Sequence, residues 1–179
     1  MGVIDRIRAY FYHKSLPTKS VRHSAKPVAN MEQAKSISFL FDATDVDHRN
    51  MVLRYADTLK KKGKNIHLLG FIPVVDKEAT FPFTFFTQKE IDWAMRPKGE
   101  SVQQFTQQGV DVLVNLFPVS TPTLEAICLQ TPANLKIGPV SIHPDACDLM
   151  VEMPAKAHPA QILQQIEKVL EKTMPQLVV

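Results

Sequence analysis

Residues 36–72 read SISFLFDATDVDHRNMVLRYADTLKKKGKNIHLLGFI, and the periodicity of this stretch decides the fold. Ser36-Ile37-Ser38-Phe39-Leu40-Phe41 is β-prone and almost uninterruptedly apolar after its start, the pattern of a strand covered on both faces. From Asp47 to Lys62 the period changes, and Met51, Val52, Tyr55, Ala56 and Leu59 share one helical face. Asp45 and Asp47 stand at the positive end of that helix dipole. Lys60, Lys61 and Lys62 stand at the negative end, with Gly63 just beyond. Ile66 to Ile72 is apolar again after a very short connection. A strand, a helix and a strand in so few residues form a crossover that is right-handed in nearly all proteins, which makes the two strands parallel.

Outward from this unit the alternation continues. Phe81 to Phe86 reads as a short strand, and Thr87-x-x-Glu90 reads as a capping box opening a short helix through Trp93. Residues 98–108 carry Val102 and Phe105 on one helical face, and Asp111 to Phe117 is a buried strand. Thr121 is an N-cap with Pro122 at the first helical position, opening a helix through about Leu129 that Pro132 stops. Leu135 to Val140 and Leu149 to Glu152 are short strands. Pro159 to Lys172 is a closing helix with Ile162, Leu163, Ile166, Val169 and Leu170 on one side. The fold class is α/β: a three-layer, mostly parallel Rossmann-like sheet of about five or six strands with helices on both faces.

Before this body lies a segment of different character. Val3, Ile4, Ile7, Tyr10 and Phe11 recur at helical spacing, while Arg6, Arg8 and His13 fall off the stripe. Residues 16–30 then carry Pro17, Pro27 and several Ser, Thr and basic side chains without periodicity, the composition of a linker. Residues 1–30 hold six Lys or Arg against Asp5 alone, a net of +5. The whole chain carries 21 basic and 18 acidic side chains, so residues 31–179 hold 15 against 17, a net of −2. Two units are expected: a basic amphipathic helix with its linker at 1–30, and a single α/β domain at 31–179.

The 179 residues suffice for a self-supporting core. Met1-Gly2-Val3-Ile4-Asp5-Arg6 lacks the apolar region of a signal peptide, so the chain is expected in the cytoplasm. Cys128 and Cys147 form no C-x-x-C and signal neither a metal nor a redox pair. Cys128 falls among apolar helix residues and reads as core. No G-x-G-x-x-G, no P-loop and no G-x-S-x-G elbow occurs, so no cofactor is indicated.

In an open parallel sheet, ligands settle outside the carboxyl ends of the strands. Asp42, Thr44, Asp45 and His48 follow the first strand, where Asp42 could bind a metal, orient a substrate hydroxyl or act as a base with His48 as partner. Capping by Thr44 or Asp45 explains the same residues. Three carboxylates there disfavour an anion and favour a cation or a sugar hydroxyl. Asn115, Ser120 and Thr121 follow the later strand, where a helix start without an acid could take a small anion or could simply be capped. His143 and His158 have no ligand-spaced companion. Phe81, Phe83, Phe85, Phe86 and Trp93 are a core cluster, or a partner surface if exposed. On the N-terminal helix, Arg6, Arg8, Phe11 and Lys14 suit an acidic protein, a ribosome or an anionic membrane surface. Its apolar stripe could equally pack on the body or on a second subunit. The slightly acidic body argues against specific nucleic-acid recognition.

Phe39-Leu40-Phe41-Asp42-Ala43-Thr44, Leu69-Gly70-Phe71, Asp111-Val112-Leu113-Val114-Asn115-Leu116 and Lys136-Ile137-Gly138, behind the basic helix, resemble a small family of uncharacterised bacterial proteins, a domain of unknown function. This resemblance covers nearly the whole chain and implies the fold without implying a site. The run from Gly109 to Gly138 also looks like the N-terminal half of heptosyltransferase-type glycosyltransferases. That likeness implies a degenerate sugar-binding or scaffold domain, since those enzymes use two such halves. The expected function is therefore a non-enzymatic binding or adaptor module working through residues 1–30. The alternative is a small-ligand or degenerate glycosyltransferase-like domain using the strand ends near Asp42 and Ser120.

Overall fold

The computed structural model describes residues 3–17, 20–23, 31–76 and 78–173. In chain order the elements are α1 (Val3–Ser15), β1 (Ser36–Asp42), α2 (Val46–Lys61), β2 (Asn65–Phe71), β3 (Thr84–Phe86), α3 (Glu100–Gln107), β4 (Val110–Asn115), α4 (Pro122–Gln130), β5 (Ala133–Pro139), β6 (Leu149–Val151) and α5 (Pro159–Thr173). The six strands form one sheet in the order β3-β2-β1-β4-β5-β6, and every neighbouring pair is parallel. The chain therefore builds outward from β1 in one direction and then from β4 in the other. The place between β1 and β4 is where the winding reverses, the position at which doubly wound sheets generally take a ligand.

The alternation of each strand separates two cores. Ile37, Phe39, Phe41, Val112, Val114 and Ile137 point to one face and pack against α2 and α5. Leu40, Leu69 and Leu113 point to the other, against α3 and α4. Successive strand residues thus supply opposite layers, which is why the strands read as continuous apolar runs.

Gly70 marks the tightest joint of the first core. It pairs with Phe41 across the sheet, and a Cβ at Gly70 would lie 2.6 Å from Phe83 Cε2 and 2.9 Å from the Ala43 methyl. The Phe83 ring packs against Phe41 and Phe81. Gly70→Ala is expected to cost about 1–3 kcal/mol through overpacking, seen as a lower urea midpoint with an unchanged slope. An unchanged midpoint would mean that the Phe83 ring moves freely.

Two local expectations are corrected. The helix from Thr87 to Trp93 is only a 3₁₀ turn over Gln88–Glu90, although the Glu90 carboxylate does accept from the Thr87 N–H and hydroxyl. Asp92 stops it: its carboxylate accepts from Ala94 N, Arg96 N and Arg96 Nε and pairs with Lys98, drawing residues 92–98 into a closed loop. Within the loop Met95 takes the left-handed φ of 63°. Burial opposes ionisation, but the hydrogen bonds from the Arg96 side chain and backbone, from Lys98 and from Ala94 N together hold the Asp92 carboxyl down at about 2. The strand expected at Phe81–Phe86 shortens to Thr84–Phe86, with Phe83 and Phe86 buried. Trp93 departs from that aromatic cluster and is exposed.

Candidate functional site

The carboxylates after β1 serve the backbone. Asp42 Oδ1 accepts from Thr44 N at 2.9 Å, and Asp45 Oδ1 accepts from Asp47 N and His48 N at 2.8 and 2.9 Å as the cap of α2. The bond from His48 N is the main reason that the Asp45 carboxyl lies below its usual range. His48 meets His158, at the start of α5, edge to face with 4.6 Å between ring centres. Arg49 lies over the Phe81 ring. Asp42, Thr44, Asp45 and His48 thus share one corner of the sheet. Among the described residues no group of three or more His, Cys, Asp or Glu is placed to hold a metal ion.

Asn115 ends β4, and Ser120 and Thr121 stand just before α4. The buried Asn115 accepts from Phe117 N through Oδ1, which turns the chain out of β4, and its amide nitrogen lies 3.8 Å from Cys128 Sγ. Thr121 accepts from Leu124 N as the cap of α4. Ser120 donates to Glu125 Oε1 at 3.2 Å. The cavity above β2, β3 and β4, walled by Phe71, Phe86, Ile91, Phe117 and Leu124, measures about 130 Å³, well below the several hundred Å³ typical of a ligand pocket. The larger cavity, about 500 Å³ between α2 and α5 beside Tyr55 and Lys64, opens at the opposite, amino-terminal edge of the sheet.

Glu125 organises this end of the molecule, and the reading of the sequence missed it. It is 6% exposed, and its Oε1 also accepts from Ser141 Oγ at 2.5 Å and from Ile142 N at 3.1 Å. The chain's own carboxylate thus fills the space above the amino end of α4. Its second oxygen, Oε2, lies 3.4 Å from the Tyr12 hydroxyl, which donates at 2.7 Å to Pro122 O. Burial first, and then the carboxylate, push the Tyr12 hydroxyl well above its ordinary pKa. The only sequence trace of this arrangement is one acid inside the apolar run Leu124-Glu125-Ala126-Ile127.

Through Tyr12, α1 lies on the amino end of α4. Tyr12, which was not counted in the stripe, is the buried anchor. Ile4, Ile7, Tyr10 and Phe11 remain exposed, Ile4 by 72%. Phe11 meets the 54% exposed Trp93 edge to face at 5.5 Å, and Thr123 Oγ1 donates to Met95 O, tying the Trp93 loop to α4. Arg6, Arg8 and Lys14 are exposed around them, with the Lys14 ammonium 5.9 Å from the Tyr10 ring. Farther along, Val21 exchanges backbone hydrogen bonds with Leu129 and Ala133, and Arg22 pairs with Asp148.

No curated protein matches the chain. Among solved structures it is similar to the E. coli heptosyltransferase WaaC, solved with ADP, at 10% identity and a TM-score of 0.44; the match covers 78% of this chain and 48% of that one, so this chain spans about half of that enzyme. A model of a family of unknown function, DUF6913, matches residues 6–173. The match takes in all six strands and most of α1, and the chain belongs to that family.

Proposed function

We propose that the protein is a non-enzymatic, cytoplasmic binding module in which residues 1–30 form the contacting segment and residues 31–179 the body that presents it. The observation that carries this reading is the direction of α1: its anchor is Tyr12, while Arg6, Arg8, Lys14, Ile7 and Phe11 stay exposed, Phe11 against the exposed Trp93. A net of +5 in the first 30 residues against −2 in the rest directs that face toward an anionic partner. The ligand reading of the strand ends has less behind it, because Asp45, Asn115 and Thr121 are engaged by backbone groups and Ser120 by Glu125.

The test uses the full chain and labelled polyglutamate, followed by fluorescence anisotropy. Binding that weakens with salt, and that falls about tenfold or more in the triple variant Arg6→Ser, Arg8→Ser, Lys14→Ser, is expected from the loss of three exposed cations. Asp42→Ala and Ser120→Ala are expected to leave it unchanged. Equal binding by the triple variant would overturn the reading.

A further inference from the structure

The kind of anionic partner can be read from the shape of the same face, an inference that rests on the reading just given. Ile4, Ile7, Tyr10 and Phe11 project from α1, Trp93 from the closed Asp92 loop, and Ile142, 95% exposed, from the loop after β5. All three segments meet at the amino end of α4: Tyr12 reaches Pro122 O, Thr123 reaches Met95 O, and Ile142 N reaches Glu125. Each prong is fixed at its base. The Ile142 backbone N–H is bonded to a buried carboxylate, and the Trp93 loop is closed by Asp92.

We infer that this face binds the surface of a bilayer containing anionic phospholipid, with Ile4, Ile7 and Trp93 entering the headgroup boundary and Arg6, Arg8 and Lys14 meeting lipid phosphates. Separate apolar prongs on rigid bases suit a fluid surface, which closes around each one. A folded acidic protein would need a matching hollow for every prong. Tyr10, Phe11 and Trp93 are the residue types that favour the membrane–water boundary, and the stems of Arg and Lys can lie along the acyl region while their charges stay at the phosphates. The 13 residues of α1 reach about 20 Å as a helix, short of the roughly 30 Å hydrocarbon core, so the helix lies along the surface.

Trp93 is the chain's one tryptophan and reports directly. The full chain is mixed with vesicles of phosphatidylcholine alone or of phosphatidylcholine with phosphatidylglycerol, and emission and co-sedimentation are followed. Trp93 emission should move to shorter wavelength on the anionic vesicles only. Arg6→Ser with Arg8→Ser should weaken partitioning about tenfold or more, and Ile4→Ser with Ile7→Ser should remove most of the binding and the shift. These four positions are exposed on α1, so the substitutions leave the body intact. Anionic vesicles bound with no emission change, or bound equally by the Ile4→Ser, Ile7→Ser chain, would overturn insertion. Failure on vesicles with polyglutamate binding retained would overturn the bilayer inference alone, whereas failure on both would take the anionic-partner reading with it.

Discussion

Glu125→Leu is expected to destabilise the protein by about 1–3 kcal/mol and to loosen α1 from the body, whereas Glu125→Gln is expected to cost about 1 kcal/mol or less. The leucine has the right size for the site but accepts nothing. Ser120 Oγ and Ser141 Oγ can turn elsewhere, but Ile142 N is fixed by the backbone and loses its partner at 3.1 Å. Each buried donor left alone costs about 1–3 kcal/mol, and relief from desolvating a carboxylate offsets part of the sum. Glutamine keeps the accepting oxygen for Ser141 and Ile142 and loses only the charge. The two variants therefore separate hydrogen bonding from charge. Urea unfolding measures the cost, and amide exchange across residues 3–15 measures the release, which should be faster in the leucine variant. If Glu125→Leu unfolds at the wild-type midpoint, the carboxylate adds no net stability and α1 is held by the Tyr12 bond to Pro122 O and by packing.

Glu125 shows where sequence reasoning stops. β1, α2 and β2 were legible because each carries its own determinants: an apolar run, a 3.6-residue stripe, the Asp45 cap and Gly63 at φ 78°. The parallel sheet with helices on both faces followed from their alternation. Asp45 and Thr121 were legible as caps, and the structure uses them as caps. Glu125 could not be found in this way, because its partners stand 5, 16 and 113 residues away in the chain. The direction of α1 was hidden for a related reason. Periodicity identifies an apolar stripe without saying what it faces, and here one buried tyrosine beside the stripe outweighs four exposed apolar side chains. The Trp93 loop failed as a helix because Asp92, one residue inside the expected helix, gathers Arg96 and Lys98 from beyond its end.

Lys136 poses the same problem at the other end of α4, and its effect should be visible in pH. It stands on β5 beside Leu113, fully buried, with Nζ 2.6 Å from Cys128 O and 3.4 Å from Leu129 O, the last carbonyls of α4. With Glu125 at the amino end, α4 has a negative charge by its positive pole and a positive charge by its negative pole. That arrangement stabilises a nine-residue helix buried along most of its length. Burial nevertheless dominates for the ammonium, pushing it down to about 8, with Arg22 adding to the depression and Cys128, Asp148 and Cys147 opposing it. The unfolded chain holds this proton until about pH 10.4. Between the two values the unfolded state binds more protons, so the contribution of Lys136 to stability rises with pH. Relative to Lys136→Met, the wild type is expected to gain about 2 kcal/mol between about pH 7.5 and 9.5. The comparison with Lys136→Met is needed because Tyr12 and Tyr55, whose hydroxyl pKa values are raised by burial and by Glu125 and Glu167, act in the opposite direction in both proteins and cancel in the difference. Urea midpoints of both chains across that range decide it. A gap that stays constant with pH would mean that the two α4 carbonyls hold the ammonium charged as firmly as water does, and that α4 is stabilised by a permanent charge at each end.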